Sequence, residues 1–202
     1  MAGAVILVRH GEPALSRRVL LTAAGYRDWW ARYEEGGLLP GQAPPPKLTA
    51  LFGTVTTILS SSRERARETA QVLAAERPFR ADALFIEAPL PSPPLPSWIR
   101  LSPRWWGVVS RFWWQAFNYH DGQESFAEAK ARAERAATLL SELTESGDTV
   151  ALIAHGYFNY MIGRALIARG WRRVLDQGFQ YWAARRFEPP PPPALRPAAQ
   201  VG

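Results

Sequence analysis

With 202 residues the chain can build one substantial hydrophobic core and is short for two, and its 47% hydrophobic and 21% charged residues exclude a disordered polymer. The absence of cysteine excludes a disulfide framework, a thiolate metal site and a cysteine nucleophile. A net charge of +6 raises nucleic acid as a partner, but the basic residues stand at most in adjacent pairs such as Arg17-Arg18, Arg172-Arg173 and Arg185-Arg186. Lysine occurs only at Lys47 and Lys130, so the charge reads as an arginine bias, with no nucleic-acid surface expected and some arginines available for a phosphate site.

In chain order, Ala4 to Val8 is a short continuous apolar run that stops at Arg9-His10, the pattern of a strand buried on both faces of a parallel sheet. It is too short and too soon interrupted for a signal peptide or a membrane span, which makes the cytoplasm the expected compartment. Ala23 to Glu35 predicts a helix. Val55 to Leu59 repeats the strand pattern and ends in Ser60-Ser61-Ser62, followed by a charged helical stretch from Arg63 to Glu76. Leu84 to Glu87 is a weaker strand signal. Ala88 to Pro103 is dense in proline, and Trp105 to Phe117 carries four tryptophans, so residues 88–122 read as an inserted cap packed over one end of the sheet, not as a membrane-surface helix. Ser125 to Glu145 predicts a helix, Thr149 to Ala154 a third strand ending at His155-Gly156, and Gln180 to Phe187 a further weak strand. The segment from Glu188, with five prolines at 189–193, can join neither a helix nor a central strand and is expected to be a passive extended tail, with an SH3-type ligand as the lesser reading. The alternation of strands and helices predicts a three-layer α/β/α sandwich around a mainly parallel sheet, formed by residues 1–187.

Ligands in such sheets collect at the carboxyl ends of the strands. Three of those ends deliver Arg9-His10-Gly11, the loop from Ser60 to Arg65, and His155-Gly156. Planar guanidinium groups and helix N-termini suit the equatorial oxygens of a phosphoryl group, and Arg9 and Arg65 supply the guanidinium forks. An imidazole attacks phosphorus only with one nitrogen unprotonated, a form that neighbouring cations favour, and His10 beside Arg9 meets that condition.

The ordered set Arg9-His10-Gly11-Glu12, Leu21-Thr22 with Gly25, Arg65-Ala66 with Thr69-Ala70, Gly122-Gln123-Glu124-Ser125 and Ala154-His155-Gly156 resembles the histidine phosphatase superfamily, which includes the cofactor-dependent phosphoglycerate mutases. The resemblance runs from residue 5 to about residue 165. It implies a phosphoglycerate mutase-like fold with His10 as the nucleophile that becomes phosphorylated, and Arg9, Arg65 and His155 completing the phosphate pocket. Ser16 stands where mutases and some phosphatases of the family have asparagine, which implies a hydroxyl contact to phosphate in its place. The family's proton donor follows the third strand, which implies Glu87, with Glu12 and Glu124 as the alternatives. The Glu-Arg-His-Tyr-Gly run typical of the mutases after that acid is absent, replaced by Ala88-Pro89-Leu90-Pro91, so phosphatase is favoured over mutase.

Several neighbours carry plainer expectations. Arg63 and Arg67 read as solvated helix residues, His120 as a surface residue, Glu124-Ser125 as a helix entrance, and Tyr157 and Asn159 as either substrate contacts or the start of a helix. The activity expected is hydrolysis of small phosphomonoesters through phosphohistidine, with no metal or cofactor. The alternatives are mutase-like transfer, removal of phosphate from a phosphoprotein, and a non-catalytic module that binds a phosphorylated ligand. Oligomeric state and physiological substrate are not legible.

Overall fold

A computed structural model describes residues 3–191 of the chain. The strands are β1 (Val5–Arg9), β2 (Thr57–Ser61), β3 (Arg80–Asp82), β4 (Val150–Ala154), β5 (Arg172–Asp176) and β6 (Ala184–Glu188). They form one sheet in the order β3-β2-β4-β1-β6-β5. The pairings β3-β2, β2-β4 and β4-β1 are parallel, and β6 runs antiparallel to both β1 and β5.

The helices are α1 (Ala23–Glu35), α2 (Pro46–Phe52), α3 (Glu64–Ala74), α4 (Pro103–Phe117), α5 (Phe126–Glu142) and α6 (Gly156–Ala168). Successive strand residues point to opposite faces, which divides the core in two. Val5 and Leu7 of β1 with Val150 and Leu152 of β4 pack against α5 and α6, whereas Ile6, Val8, Ala151 and Ile153 pack against α2 and α3. The layers are therefore helix, sheet, helix, as the alternation predicts.

A third apolar cluster lies apart from the sheet. Tyr26, Trp29 and Tyr33 of α1 cluster with Trp106 of α4, and Tyr26 stacks on Trp106 with ring centroids 5.7 Å apart. The Trp106 indole donates to the Leu21 carbonyl at 2.7 Å, and the Trp114 indole donates to that of Glu124 at 2.9 Å. These two tryptophans are fully buried, while Trp105, Phe112 and Phe117 on the other side of the same helix are exposed. The tryptophan-bearing helix α4 is thus anchored on α1 by one aromatic face.

Two expectations need adjustment, and two elements are additional to them. The third strand lies at Arg80–Asp82, and the expected strand from Leu84 to Glu87 is instead a 3₁₀ turn (Ala83–Phe85) followed by extended chain. The Asp82 carboxylate caps that turn by accepting from the Leu84 amide at 2.9 Å, which ends the strand before its apolar residues. β5 and α2 carry no strong sequence signal: β5 is an edge strand of mostly exposed residues, and α2 is only seven residues long. β6 continues through Glu188, one residue into the expected tail, and residues 192–202 lie outside the described part. No described helix is long and apolar enough to cross a membrane.

Candidate active site

The parallel registers bring the carboxyl ends of β1, β2 and β4 to one edge, where Arg9 pairs with Ala154 and Ser60 with Ile153. His10, the Ser61 loop and His155 follow directly. The His10 amide donates to the Ala154 carbonyl at 3.0 Å, which ties the first loop to the end of β4. Gly11 turns the chain against the Trp182 indole: a Cβ there would lie 2.6 Å from that ring, so only glycine fits.

His10 is 2% exposed and His155 is fully buried, with ring centroids 5.2 Å apart. His10 Nδ1 lies 2.7 Å from the Gly11 carbonyl oxygen, which can only accept, so Nδ1 carries the proton and Nε2 holds the free lone pair. Burial holds the His10 pKa well below its ordinary value, and the Arg65 and Arg9 guanidinium charges push it the same way. His155 is depressed for the same reasons, burial first and Arg65 next. Its Nε2 lies 2.9 Å from Ser61 Oγ, and Arg65 Nη2 approaches its Nδ1 at 3.4 Å. As guanidinium is only a donor, the neutral His155 ring presents Nδ1 as acceptor to Arg65 and donates from Nε2 to the serine.

Arg65 is completely buried at the start of α3. Its Nη1 donates to the Tyr33 carbonyl at 2.8 Å and its Nη2 to the Glu34 carboxylate at 2.7 Å, so α1 fixes the orientation of the guanidinium. Arg63 also pairs with Glu34, at 2.9 Å, which makes it a bracing residue more than a solvated one, whereas Arg67 is exposed. Arg9 donates to the Phe179 carbonyl and lies over Tyr181, 4.4 Å from the ring centroid. Arg17, read from sequence only as half of a basic pair, donates to the Tyr33 hydroxyl at 2.8 Å and packs between the Tyr33 and Tyr181 rings. The Nε atoms of Arg9, Arg17 and Arg65 are all buried without a hydrogen-bond partner among the described residues.

Arg9, His10, Arg17 and Arg65 line a cavity of about 560 Å³ together with Trp30, Tyr33, Glu87, Leu90, Arg111, Phe112 and Tyr157. Glu87 enters from the loop after the 3₁₀ turn. Its carboxylate accepts from the Phe158 amide at 2.9 Å and the Tyr157 amide at 3.3 Å, at the N-terminus of α6, and from its own neighbour Ala88 at 3.0 Å. Beside it, Arg111 of α4 donates to the Pro89 carbonyl at 3.1 Å and lies 3.9 Å from the Tyr157 ring centroid. Burial lowers the Arg111 pKa, and the neighbouring Glu87 charge opposes that shift.

Of the residues singled out from the sequence, His10, Arg9, Arg65, His155 and Glu87 converge, the first three and Glu87 on the cavity wall and His155 directly behind His10. Ser16 does not join them. It is exposed, its hydroxyl accepts from the Arg18 amide at 3.2 Å, and the next residue, Arg17, faces the cavity in its stead. Among the alternative acids, Glu12 is exposed and Glu124 is held by a two-pronged pair with Arg132, at 2.7 and 2.6 Å. Ser125 caps α5 as its sequence position suggests, and His120 lines no part of this cavity. Tyr157 reaches the cavity, while Asn159 points back to β1, donating to the Val8 carbonyl at 3.0 Å. Sequence reasoning missed Arg17, Tyr33 and Arg111; the only available signal was that Arg111 interrupts an apolar helix face.

A sheet edge carrying two buried histidines and several arginines defines an α/β protein with a cationic pocket at the carboxyl ends of its strands. Residues 46–186 match the model of the histidine phosphatase superfamily (branch 1), and the chain belongs to that family. The matched stretch begins after Arg9-His10-Gly11, so the place of His10 rests on geometry. No curated protein matches the chain. Among solved structures, one titled mycobacterial hydrolase 1 superposes with a TM-score of 0.60 at 18% identity, covering 92% of this chain and 90% of the other. Mycobacterial glucosyl-3-phosphoglycerate phosphatase gives 0.54 at 20% identity, over 83% and 81% of the two chains. A phosphoserine phosphatase variant from Entamoeba histolytica, in complex with phosphoserine, gives 0.56 at 16% identity over 82% and 80%. At these identities the likeness is one of fold.

Proposed function

We propose that the protein is a phosphatase that hydrolyses phosphomonoesters through a phosphohistidine at His10, without a metal ion. One observation carries this reading: a neutral imidazole with its free nitrogen defined by the Gly11 carbonyl stands among three arginines whose Nε donors lack partners. Buried donors without acceptors are costly, and a bound phosphate dianion would satisfy them.

In the first step His10 Nε2 attacks phosphorus, the bond to the ester oxygen breaks, and Glu87, which must enter this step protonated, gives its proton to the departing alkoxide. The ring becomes cationic as the N–P bond forms, and the Gly11 carbonyl, still accepting from Nδ1, stabilises that charge. Arg9, Arg17 and Arg65 hold the equatorial oxygens. In the second step water loses a proton to Glu87 and attacks phosphorus, the N–P bond breaks, and phosphate leaves with His10 neutral again. The family membership and the phosphatases among proteins of like fold support hydrolysis over transfer.

The test is incubation of purified protein with labelled phosphomonoesters. We expect acid-labile label on His10, its discharge to water, and activity that survives exhaustive chelation; His10→Ala should incorporate nothing and release no phosphate. Label that forms and never turns over would leave a phosphoryl-accepting module, and substantial turnover by pure His10→Ala protein would remove His10 from the nucleophile role.

A further inference from the structure

The cavity divides by chemistry along its depth. Its floor holds His10, Arg65, Arg9 and Arg17, where charge and burial are concentrated. Its outer wall is apolar: Trp30 of α1, Leu90 of the proline-rich loop, Val108 and Phe112 of α4, and Phe179 of the β5–β6 connection. Val108, Phe112 and Phe179 are 55%, 57% and 53% exposed, so large apolar surface stands open to water at the mouth, around a buried cationic floor. The aromatic side of α4 that anchors the helix is separate, with Trp106 and Trp114 fully buried.

A sugar-like leaving group would need hydrogen-bonding partners at that level. The polar side chains available there are Gln115, already donating to the Tyr157 hydroxyl, and the exposed Arg104. Arg111 is held by the Pro89 carbonyl and by the Tyr157 and Trp114 rings. The outer wall therefore offers mainly apolar area, with polar recognition confined to Gln115, Arg104, the Tyr157 hydroxyl and the Trp30 indole. Apolar surface left in water is a binding resource only for a ligand that covers it.

We propose that the substrate is a phosphomonoester of an apolar alcohol, an alkyl or aryl phosphate whose hydrocarbon part lies against Val108, Phe112 and Phe179 while its phosphate reaches His10. This rests on the phosphatase reading for its turnover and not for its binding. Phe112 and Val108 are then specificity residues, and the inserted helix sets the substrate class.

The experiment uses the full chain and two matched series below their aggregation concentrations. Straight-chain alkylphosphonates, which cannot be hydrolysed at the P–C bond, are titrated by calorimetry from ethyl to octyl, and the corresponding alkyl phosphates are assayed for kcat/KM. Affinity should rise with each methylene until the wall is covered, by up to about fourfold per group, and kcat/KM should rise in parallel. Phe112→Ser and Val108→Asp, at exposed positions that the fold does not need, should flatten the slope of the phosphonate series. A flat series in the wild type, or glycerol phosphate preferred over propyl phosphate, overturns the proposal. A slope untouched by both substitutions overturns the assignment to α4. Chain-length-dependent phosphonate binding with no release of phosphate from any ester would refute the phosphatase reading and leave the ligand class standing.

Discussion

Arg65 links the fold to the chemistry. A guanidinium at zero exposure is tolerable only with partners, and α1 supplies two carbonyls and the Glu34 carboxylate, while Nε has no partner among the described residues. Arg65→Ala should cost on the order of 10² to 10³ in turnover, the scale of losing one preorganised donor to a developing anion. The loss should appear in single-turnover phosphorylation, with Arg63 still holding Glu34. Glu87 poses the sharper question, since its oxygens also cap α6. Glu87→Gln keeps one carbonyl acceptor for those amides, so the variant should fold. If Glu87 donates the proton, the burst with alkyl phosphates should slow severely while the burst with p-nitrophenyl phosphate, whose leaving group departs without a proton, slows far less. Equal losses would make Glu87 a structural cap.

At the scale of elements, the motif around Gly122 to Ser125 shows how local rules serve a distant site. Ser125 Oγ accepts from the Glu128 amide at 3.3 Å, while the Glu128 carboxylate accepts from the Ser125 amide at 2.8 Å, a reciprocal cap that starts α5. Glu124, one residue earlier, is fixed by Arg132, which also donates to the Leu84 and Ile86 carbonyls at 2.9 and 2.8 Å. The start of α5 thus holds the chain that leads into Glu87. Ser125→Ala should lower stability by about 1 kcal/mol, measured by urea unfolding. Arg132→Ala, by freeing the Leu84–Ile86 segment, should reduce turnover although Arg132 lines no part of the cavity.

For the whole molecule, the two buried histidines make stability depend on pH. Both have folded-state pKa values depressed below the unfolded value of about 6.5, so the unfolded chain binds the extra protons first. Stability is therefore full above that value and falls as pH drops below it, by up to about 1.4 kcal/mol per pH unit for each histidine, until the folded-state values are reached. Thermal unfolding between pH 7 and pH 5 should show this decline, and His10→Gln should make it shallower. Inorganic phosphate or vanadate, binding only the folded protein, should raise the melting temperature, and Arg65→Ala should weaken that rise.

The layered architecture and the central residues were legible because their signals are local. Short runs rich in apolar or β-branched residues, ending at Arg9-His10, Ser60-Ser61-Ser62 and His155-Gly156, mark β1, β2 and β4, and the carboxyl ends of parallel strands must share one edge. His10, Arg65 and His155 could thus be placed together from sequence alone. The third strand was misplaced because Arg80 to Asp82 has no apolar pattern and an Asp82 cap, not hydropathy, ends it. Ser16 and Arg17 are adjacent, and only the fold decides which one faces the cavity: the loop lays Arg17 against Tyr33 of α1 and Tyr181 of the β5–β6 connection, more than 160 residues apart in the case of Tyr181. The roles of Arg111 and of the two sides of α4 were equally hidden. An amphipathic pattern shows that a helix has a buried face, but which aromatics anchor it and which are left at the mouth of the pocket depends on what it packs against, and that is settled by tertiary contacts between segments with no sequence relation to one another.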